Sequence, residues 1–259
     1  MGIFKGNFYS SSLKMATTIN VIFPDRSNDV DPVVEGEPKV LYLLHGLSGN
    51  CDEWFRFSKI EYYAKKYNLI VIMPEVQRSF YLNTKYGVNY FDFVADELPE
   101  ICNKWFRIDT SRENTFIAGE SMGGYGAVMI GLSRPERYEG VASLSGVLDF
   151  DGFEKMIKEK VFPDMLPEEL EILCDKDTPI ELGKKLADSN KRPRLIQLCG
   201  TEDFLYEANQ KFKEALDSAG YKHTYIEAKG DHEWPYWDKA IQYAIMFFLK
   251  LDMNKTNVY

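Results

Sequence analysis

Short apolar runs alternate along the chain with longer segments in which apolar residues recur at helical spacing. The runs lie at residues 18–23, 40–44, 69–73, 115–118, 141–144, 195–198 and 224–228. Because hydrophobicity in them is continuous rather than alternating, they predict strands buried on both faces of a mostly parallel sheet. The intervening segments predict helices at residues 54–66, 90–105, 124–133, 207–218 and 234–249. This alternation is typical of a doubly wound α/β fold with helices on both faces of the sheet.

Three segments depart from the alternation. Residues 4–10 and 17–23 are strand-like neighbours and predict an antiparallel hairpin at one edge of the sheet. Residues 25–38 are rich in Pro, Gly, Asp and Asn and predict an exposed loop. Residues 150–194 are charged, interrupted by prolines and too long for a simple crossover between two strands. We expect them to form a small inserted lid within a single domain that spans residues 1–259.

Composition and charge narrow the classes of partner. The chain of 259 residues is 45% hydrophobic and 27% charged, which is typical of a globular protein rather than a disordered one. Its formal net charge of -9, without a Lys/Arg cluster, disfavours binding to nucleic acid or to an anionic membrane. The longest apolar runs are far shorter than the ~18 residues that a membrane span needs. We therefore expect neither a nucleic-acid partner nor a membrane partner.

The four cysteines are scattered along the chain. Cys51, Cys102, Cys174 and Cys199 form no C-x-x-C pair, so the sequence indicates neither a disulfide framework nor a metal site. The N-terminal segment lacks the apolar core of a secretion signal. Together these features predict reduced thiols and a cytoplasmic location.

A glycine-flanked serine lies at a predicted strand-to-helix turn. The segment Gly119-Glu120-Ser121-Met122-Gly123 matches the pattern G-x-S-x-G, in which a sharp turn exposes a serine nucleophile. Small residues two positions before and after the serine allow strand and helix to approach closely. Ser121 is the candidate nucleophile, and the backbone N–H of Met122, at the helix N-terminus, is a candidate oxyanion donor. An ordinary capping serine in a glycine-rich loop is the alternative.

The loop after the predicted strand at 40–44 offers a second oxyanion donor. It reads His45-Gly46-Leu47-Ser48-Gly49-Asn50, and its glycines allow the backbone to fold close to a substrate. We expect the N–H of Leu47 to act together with that of Met122. A plain β-turn before the next helix is the alternative.

A serine nucleophile needs an imidazole to take its proton, and the chain has only three histidines. His232 follows the last predicted strand, at the carboxyl edge of the sheet, where the serine turn also lies. His223 lies at the opposite edge and is expected to be a surface residue, whereas His45 belongs to the oxyanion loop. His232 is therefore the predicted base.

The imidazole in turn needs a carboxylate to fix its tautomer. Asp203 follows the penultimate predicted strand, at the position where such an acid belongs. Glu202 is its rival, and Asp177 and Asp188 are weaker candidates because they lie in the predicted insertion. The resulting chain order of Ser121, Asp203 and His232 is that of the α/β-hydrolases.

With these residues in place, the chain resembles the esterase D-like branch of the α/β-hydrolases. That branch includes S-formylglutathione hydrolases, tributyrin esterases and feruloyl or acetylxylan esterases, and this chain looks most like the small bacterial tributyrin-type esterases. The likeness runs from the first predicted hairpin to the last helix. It is carried by residues 44–50, 79–81, 86–87, 90–91, 97–99, 119–124, 200–205 and 230–234, with Trp237.

The resemblance implies an α/β-hydrolase fold and a serine carboxylesterase that acts on small-molecule esters with short acyl groups. Acetyl and feruloyl or cinnamoyl esters of carbohydrates are the expected substrate class, and no metal or organic cofactor is required. S-formylglutathione hydrolases usually carry a Gly-Leu-Thr-Cys stretch where this chain has Gly46-Leu47-Ser48-Gly49. A thioesterase of that type is therefore the alternative. Transfer of the acyl group to an alcohol and a non-catalytic binding module are further alternatives, and assembly into a homo-oligomer stays open.

Overall fold

The computed structural model describes residues 2–25, 30, 32–162, 165, 167–174 and 177–255. Within them, eight strands form one sheet. They are β1 (Gly2–Ser10), β2 (Met15–Phe23), β3 (Lys39–Leu44), β4 (Leu69–Pro74), β5 (Thr115–Glu120), β6 (Gly140–Leu144), β7 (Arg194–Gly200) and β8 (Thr224–Ala228). Their spatial order is β1-β2-β4-β3-β5-β6-β7-β8.

The sheet is mostly parallel, as predicted. The strands from β3 to β8 pair in parallel, whereas β1 pairs antiparallel with β2 and β2 antiparallel with β4. The first two strands form a hairpin whose register runs from Gly2 opposite Phe23 to Ser10 opposite Met15. The predicted edge hairpin is confirmed, with both strands longer at one end than the apolar runs indicated.

Helices cover both faces of the sheet. They are α1 (Glu53–Phe57), α2 (Ile60–Lys66), α3 (Tyr90–Asp92), α4 (Leu98–Phe106), α5 (Met122–Ser133), α6 (Phe150–Lys158), α7 (Pro167–Glu171), α8 (Pro179–Leu186), α9 (Tyr206–Ala219) and α10 (Trp234–Phe248). One core contains α1, α2 and α10, with Phe116 of β5 stacked on Phe248 at 4.7 Å between ring centroids. The other contains α3, α4, α5, α8 and α9. The chain therefore has the α/β-hydrolase-like architecture that the sequence predicted.

Two predicted helices are interrupted. The helix expected at 54–66 breaks where the Ser58 hydroxyl donates to the Trp54 carbonyl at 2.6 Å, so it forms α1 and α2. The helix expected at 90–105 passes through a π-helical turn, Phe93–Glu97, between α3 and α4. Pro99 follows this turn and has no N–H to donate to the preceding turn, which is the local reason for the wider winding.

The predicted insertion at 150–194 contains α6, α7 and α8. Of these, α8 packs against α5 and α9 in the helical layer, and its N-terminus is closed by a capping box between Thr178 and Glu181. The predicted loop at 25–38 lies partly outside the described residues, and its described part forms neither helix nor strand. Among the described helices none is both long enough and apolar enough to cross a membrane.

Candidate active site

Ser121 stands on a strained turn between β5 and α5. Its backbone has φ 54° and ψ −117°, a left-handed conformation that an L-residue rarely adopts. The turn is possible because Gly119 and Gly123 carry no side chain. A Cβ added at Gly119 would collide with the backbone of Gly123, and one added at Gly123 would lie 2.5 Å from the Leu44 carbonyl oxygen. Strand and helix therefore meet as closely as the sequence predicted.

The predicted acid and base lie on two loops that are tied together. Asp203 lies between β7 and α9, and His232 lies between β8 and α10. The N–H of Thr201 donates to the Ala228 carbonyl at 3.0 Å, and the N–H of Glu202 donates to the Gly230 carbonyl at 2.9 Å. These two bonds hold the loops side by side at the carboxyl edge of the sheet.

The three predicted side chains form one hydrogen-bonded chain. His232 Nε2 lies 2.9 Å from Ser121 Oγ, and His232 Nδ1 lies 2.9 and 3.0 Å from the two carboxylate oxygens of Asp203. Asp203 Oδ1 also accepts the N–H of Leu205 at 2.8 Å, and its side chain is wholly buried. A carboxylate acceptor on Nδ1 fixes the tautomer in which Nε2 can accept the serine proton. This geometry can activate a hydroxyl nucleophile.

The rival acids lie elsewhere. The Glu202 side chain is about half exposed and lies 3.6 Å from the Lys229 ammonium, whereas Asp177 pairs with Lys185 at 2.6 Å. Asp188 is exposed on the segment after α8. Of the candidate carboxylates only Asp203 contacts the imidazole of His232 within the described part of the chain.

The other two histidines are buried. His223 was expected at the surface, and this expectation is wrong, because its side chain is only 2% exposed. It belongs to the connection between α9 and β8, and its Nδ1 is 3.2 Å from the Tyr221 carbonyl. Desolvation lowers the pKa of His223. His45 begins the oxyanion loop, as the sequence indicated, and its ring is also buried.

The oxyanion loop presents a free amide beside the serine turn. The Gly46 carbonyl accepts the N–H of Gly49 at 3.2 Å, which closes a turn around Leu47 and Ser48. In the described part of the chain, the N–H groups of Leu47 and Met122 make no hydrogen bond to protein. Both residues line the same cavity as Ser121. The two predicted amides are thus available to a ligand at the serine.

Aromatic residues form much of this cavity, whose volume is about 620 Å³. The His232 ring lies between Phe204 and Trp237, at centroid distances of 4.4 and 4.9 Å. The remaining aromatic lining residues are Phe80, Phe153, Phe162 and Trp234. Phe153 and Phe162 come from the predicted insertion, and no sequence signal singled them out because they contact the site only through the tertiary fold.

Carboxyl groups that sequence reasoning missed also line the cavity: Glu53, Glu120 and Glu233. Glu120 is buried, and desolvation raises the pKa of its carboxyl well above the ordinary value, with the nearby charge of Glu53 adding to the effect. Desolvation also raises the pKa of Glu53. The only signal for Glu120 was its place in the serine motif, where the pattern accepts any residue.

The described residues form neither a metal site nor a disulfide. Among the described residues no group of three or more His, Cys, Asp or Glu side chains is placed to hold a metal ion. The four cysteines are free thiols, three of them buried. Burial raises the pKa of the Cys102 thiol to about 12, so it stays protonated at neutral pH.

Comparison with known proteins identifies the family of this chain. The family described as "Putative esterase" matches residues 10–248. An acetyl esterase of Caldicellulosiruptor saccharolyticus is 34% identical over 269 aligned positions, which cover 97% of this chain and 99% of that protein.

Two solved structures from Staphylococcus aureus are similar over nearly the whole chain. A fluorophosphonate-binding serine hydrolase F superposes with a TM-score of 0.83 at 31% identity, covering 96% of this chain and 98% of that one. An S-formylglutathione hydrolase superposes with a TM-score of 0.79 at 31% identity and the same coverage. The chain therefore belongs to the esterase family that matches residues 10–248, and it is a carboxylesterase of the serine hydrolase class.

Proposed function

We propose that the protein hydrolyses short-chain acyl esters, acetyl esters above all, through an acyl-enzyme on Ser121. The single observation that carries this proposal is the continuous hydrogen-bonded chain from Ser121 through His232 to Asp203. The acetyl esterase relative, aligned over almost the full length of both chains, supports the choice of acyl group.

The proposed reaction is a two-step acyl transfer. Ser121 Oγ attacks the ester carbonyl while His232 Nε2 takes the hydroxyl proton, and Asp203 stabilises the imidazolium that forms. His232 then gives that proton to the departing alcohol, which leaves the acyl group on Ser121. Water, deprotonated by the same imidazole, attacks the acyl-enzyme, releases the carboxylic acid and returns the proton to Ser121. The reaction uses no metal and no organic cofactor.

The backbone amides of Leu47 and Met122 are the proposed donors to the tetrahedral oxyanion. Both are free and lie on the cavity that holds Ser121. The N-terminus of α5 adds positive potential at the same point. One such donor is typically worth about 3 kcal/mol of transition-state stabilisation.

Packed aromatic rings close one side of the cavity, which supports the choice of short acyl groups. Phe80 is almost wholly buried, and its ring packs on those of Tyr125, Phe150 and Phe153 at centroid distances of 6.0, 5.5 and 5.6 Å. Rings that interlock in this way cannot move apart without opening a void in the core. An acyl chain directed toward Phe80 would therefore have to displace packed rings.

We expect kcat/KM to be highest for acetyl and butyryl esters and at least about tenfold lower for octanoyl esters. A panel of acetyl, butyryl, octanoyl and feruloyl esters of one alcohol would measure this order. Phe153→Ala should raise kcat/KM for the octanoyl ester relative to the acetyl ester, because it removes a ring from the cavity wall. Phe106→Ala, whose ring packs on Phe4 and Phe23 of the hairpin, is the matched control. A panel led by octanoyl or feruloyl esters would contradict the proposal.

An S-formylglutathione thioesterase is the second candidate, and the similar S. aureus enzyme favours it. The charge of the cavity argues against it. Besides the buried Glu120, whose raised pKa favours its neutral form, its lining includes Glu53 and Glu233, whereas none of the described lining residues is a lysine or an arginine. Because the glutathione moiety carries a net negative charge, it would be repelled by a cavity of this character. Esters of neutral or cationic alcohols are the better match.

We expect acetylthiocholine to be hydrolysed with a kcat/KM about tenfold or more above that of S-acetylglutathione. The two thioesters carry the same acyl group on leaving groups of opposite charge, and thiol release measures both. The ratio should shrink as salt is added, because screening weakens the repulsion. Glu233→Lys should shrink it too, whereas Glu214→Lys on the exposed face of α9 changes the net charge equally and should not. Faster turnover of S-acetylglutathione would favour the thioesterase.

The segment at 150–194 is proposed to serve as a lid within one domain. Its first part supports this role, because Phe153 and Phe162 line the cavity and the ring of Phe162 packs on that of Phe204 at 5.2 Å. Its last part, α8, packs in the helical layer instead. The proposed lid therefore includes only the first part of the insertion.

A cytoplasmic site of action is also proposed. All four cysteines are free thiols, which suits a reducing compartment. This part of the proposal is independent of the chemistry of the site.

A further inference from the structure

Glu120 is a buried acid that the proposed reaction does not use. It ends β5, directly before Ser121, and is only 2% exposed while its side chain reaches the wall of the catalytic cavity. No lysine or arginine pairs with it anywhere in the described structure. Its carboxyl lies directly against the backbone of Gly46. The contact is close, since a Cβ added at Gly46 would collide with both carboxyl oxygens.

Gly46 is held on both sides. The Glu120 carboxyl packs against its Cα, and its carbonyl accepts the Nδ1–H of His45 at 2.8 Å. That tautomer of His45 is fixed because Nε2 accepts the N–H of Val76 at 3.2 Å. In a planar trans peptide the carbonyl of Gly46 and the N–H of Leu47 point in opposite directions. Fixing the Gly46 backbone therefore fixes the direction of the Leu47 amide.

We propose that Glu120 acts as an uncharged carboxylic acid that positions the oxyanion loop by packing against the backbone of Gly46. It is a positioning residue, because it acts on the reaction through the Leu47 amide. The inference rests on the proposed function, in which that amide binds the oxyanion.

The uncharged state of Glu120 matters because its carboxyl lies beside the proposed oxyanion site, where negative charge develops during the reaction. A carboxylate there would repel the oxyanion across a poorly solvated cavity wall. A second carboxyl opposes ionisation: that of Glu53, at the start of α1, lies against Gly49 as that of Glu120 lies against Gly46. Burial and this like charge raise the pKa of the Glu120 carboxyl well above its ordinary value. The acid is therefore neutral at low pH and ionises as the pH rises through that raised value.

The other titratable groups around Glu120 do not neutralise it. Tyr81, from the segment after β4, is buried, and burial raises its pKa, so it stays a neutral phenol. His45 is kept neutral because desolvation lowers its pKa. His232 faces the cavity from the loop after β8, and Glu75, near His45, adds only negative charge.

The deciding experiment is the pH profile of kcat for a neutral acetyl ester. Acid release is measured by pH-stat, and the rate of spontaneous hydrolysis is subtracted at each pH. In the wild type kcat should fall on the alkaline side as Glu120 ionises. Glu120→Gln keeps the shape of the side chain against Gly46 but cannot ionise, so its kcat at pH 7 should fall less than about tenfold and its alkaline decline should disappear. Glu120→Ala removes the contact with Gly46 and should lose about 100-fold. Glu53→Gln removes the like charge and should move the alkaline decline to lower pH.

A second measurement does not depend on catalysis. The free energy of unfolding of the wild type should fall between pH 5 and pH 8, because unfolding lets the buried acid ionise at its ordinary pKa. Glu120→Gln should flatten this dependence, whereas Glu214→Gln on the surface should retain it. An alkaline decline of kcat that persists in Glu120→Gln, or a wild-type profile with none, would overturn the inference. Absence of ester turnover by the wild type would instead refute the proposed function.

Discussion

Replacing Ser121 by alanine is expected to lower kcat for short acyl esters by about 10⁴- to 10⁶-fold. Ser121 Oγ is the atom that His232 Nε2 contacts at 2.9 Å, and no acyl-enzyme can form without it. The fold should persist, because alanine adopts the strained turn as readily as serine does and the bonds that hold the turn are made by its backbone. Turnover of acetyl esters and far-UV circular dichroism would measure the two effects.

Covalent labelling gives an independent test of the same residue. The wild type should react with a fluorophosphonate probe, and Ser121→Ala should not. Ser133→Ala, at the other end of α5, is the matched control and should retain both labelling and turnover. Labelling of the Ser121→Ala variant, or wild-type turnover by it, would disprove the assignment.

Replacing Asp203 by asparagine is expected to lower kcat by about 10³- to 10⁴-fold. The asparagine keeps the shape of the buried side chain and can still accept the N–H of Leu205. Its amide can donate to His232 Nδ1, however, which favours the tautomer with the proton on Nε2. In that tautomer the imidazole cannot take the proton of Ser121. Steady-state kinetics at neutral pH would measure the loss.

Glu202 provides the control for this prediction, because it is the adjacent carboxylate and contacts Lys229 rather than His232. Glu202→Gln should leave kcat within about twofold of the wild type. If Glu202→Gln were the damaging change and Asp203→Asn were tolerated, the assignment of the acid would be wrong.

The three side chains that meet in the structure could be predicted because each follows a strand of a parallel sheet. Parallel strands bring their carboxyl ends to one edge, so residues 111 positions apart in the chain, Ser121 and His232, become neighbours. Apolar runs marked those strand ends well. The serine turn carried its own local signal in the glycines on both sides.

What the sequence did not reveal depends on packing between distant segments. The side chain of His223 is only 2% exposed, and a lone histidine at a strand entrance gives no sign of this. The break between α1 and α2 depends on one hydroxyl, that of Ser58, that competes for a helical carbonyl. Phe153 and Phe162 reach the cavity from a segment whose path hydrophobic patterning does not determine.

The crowding at Gly119 and Gly123 bears on how this enzyme can evolve. Any side chain at either position meets backbone atoms that cannot move aside, and the serine between them is needed for chemistry. Within this turn, substitutions are therefore tolerated only at residues 120 and 122. Met122 is fully buried in the core, so residue 120, whose side chain reaches the cavity wall, is the position at which a directed-evolution library can alter reactivity next to the nucleophile.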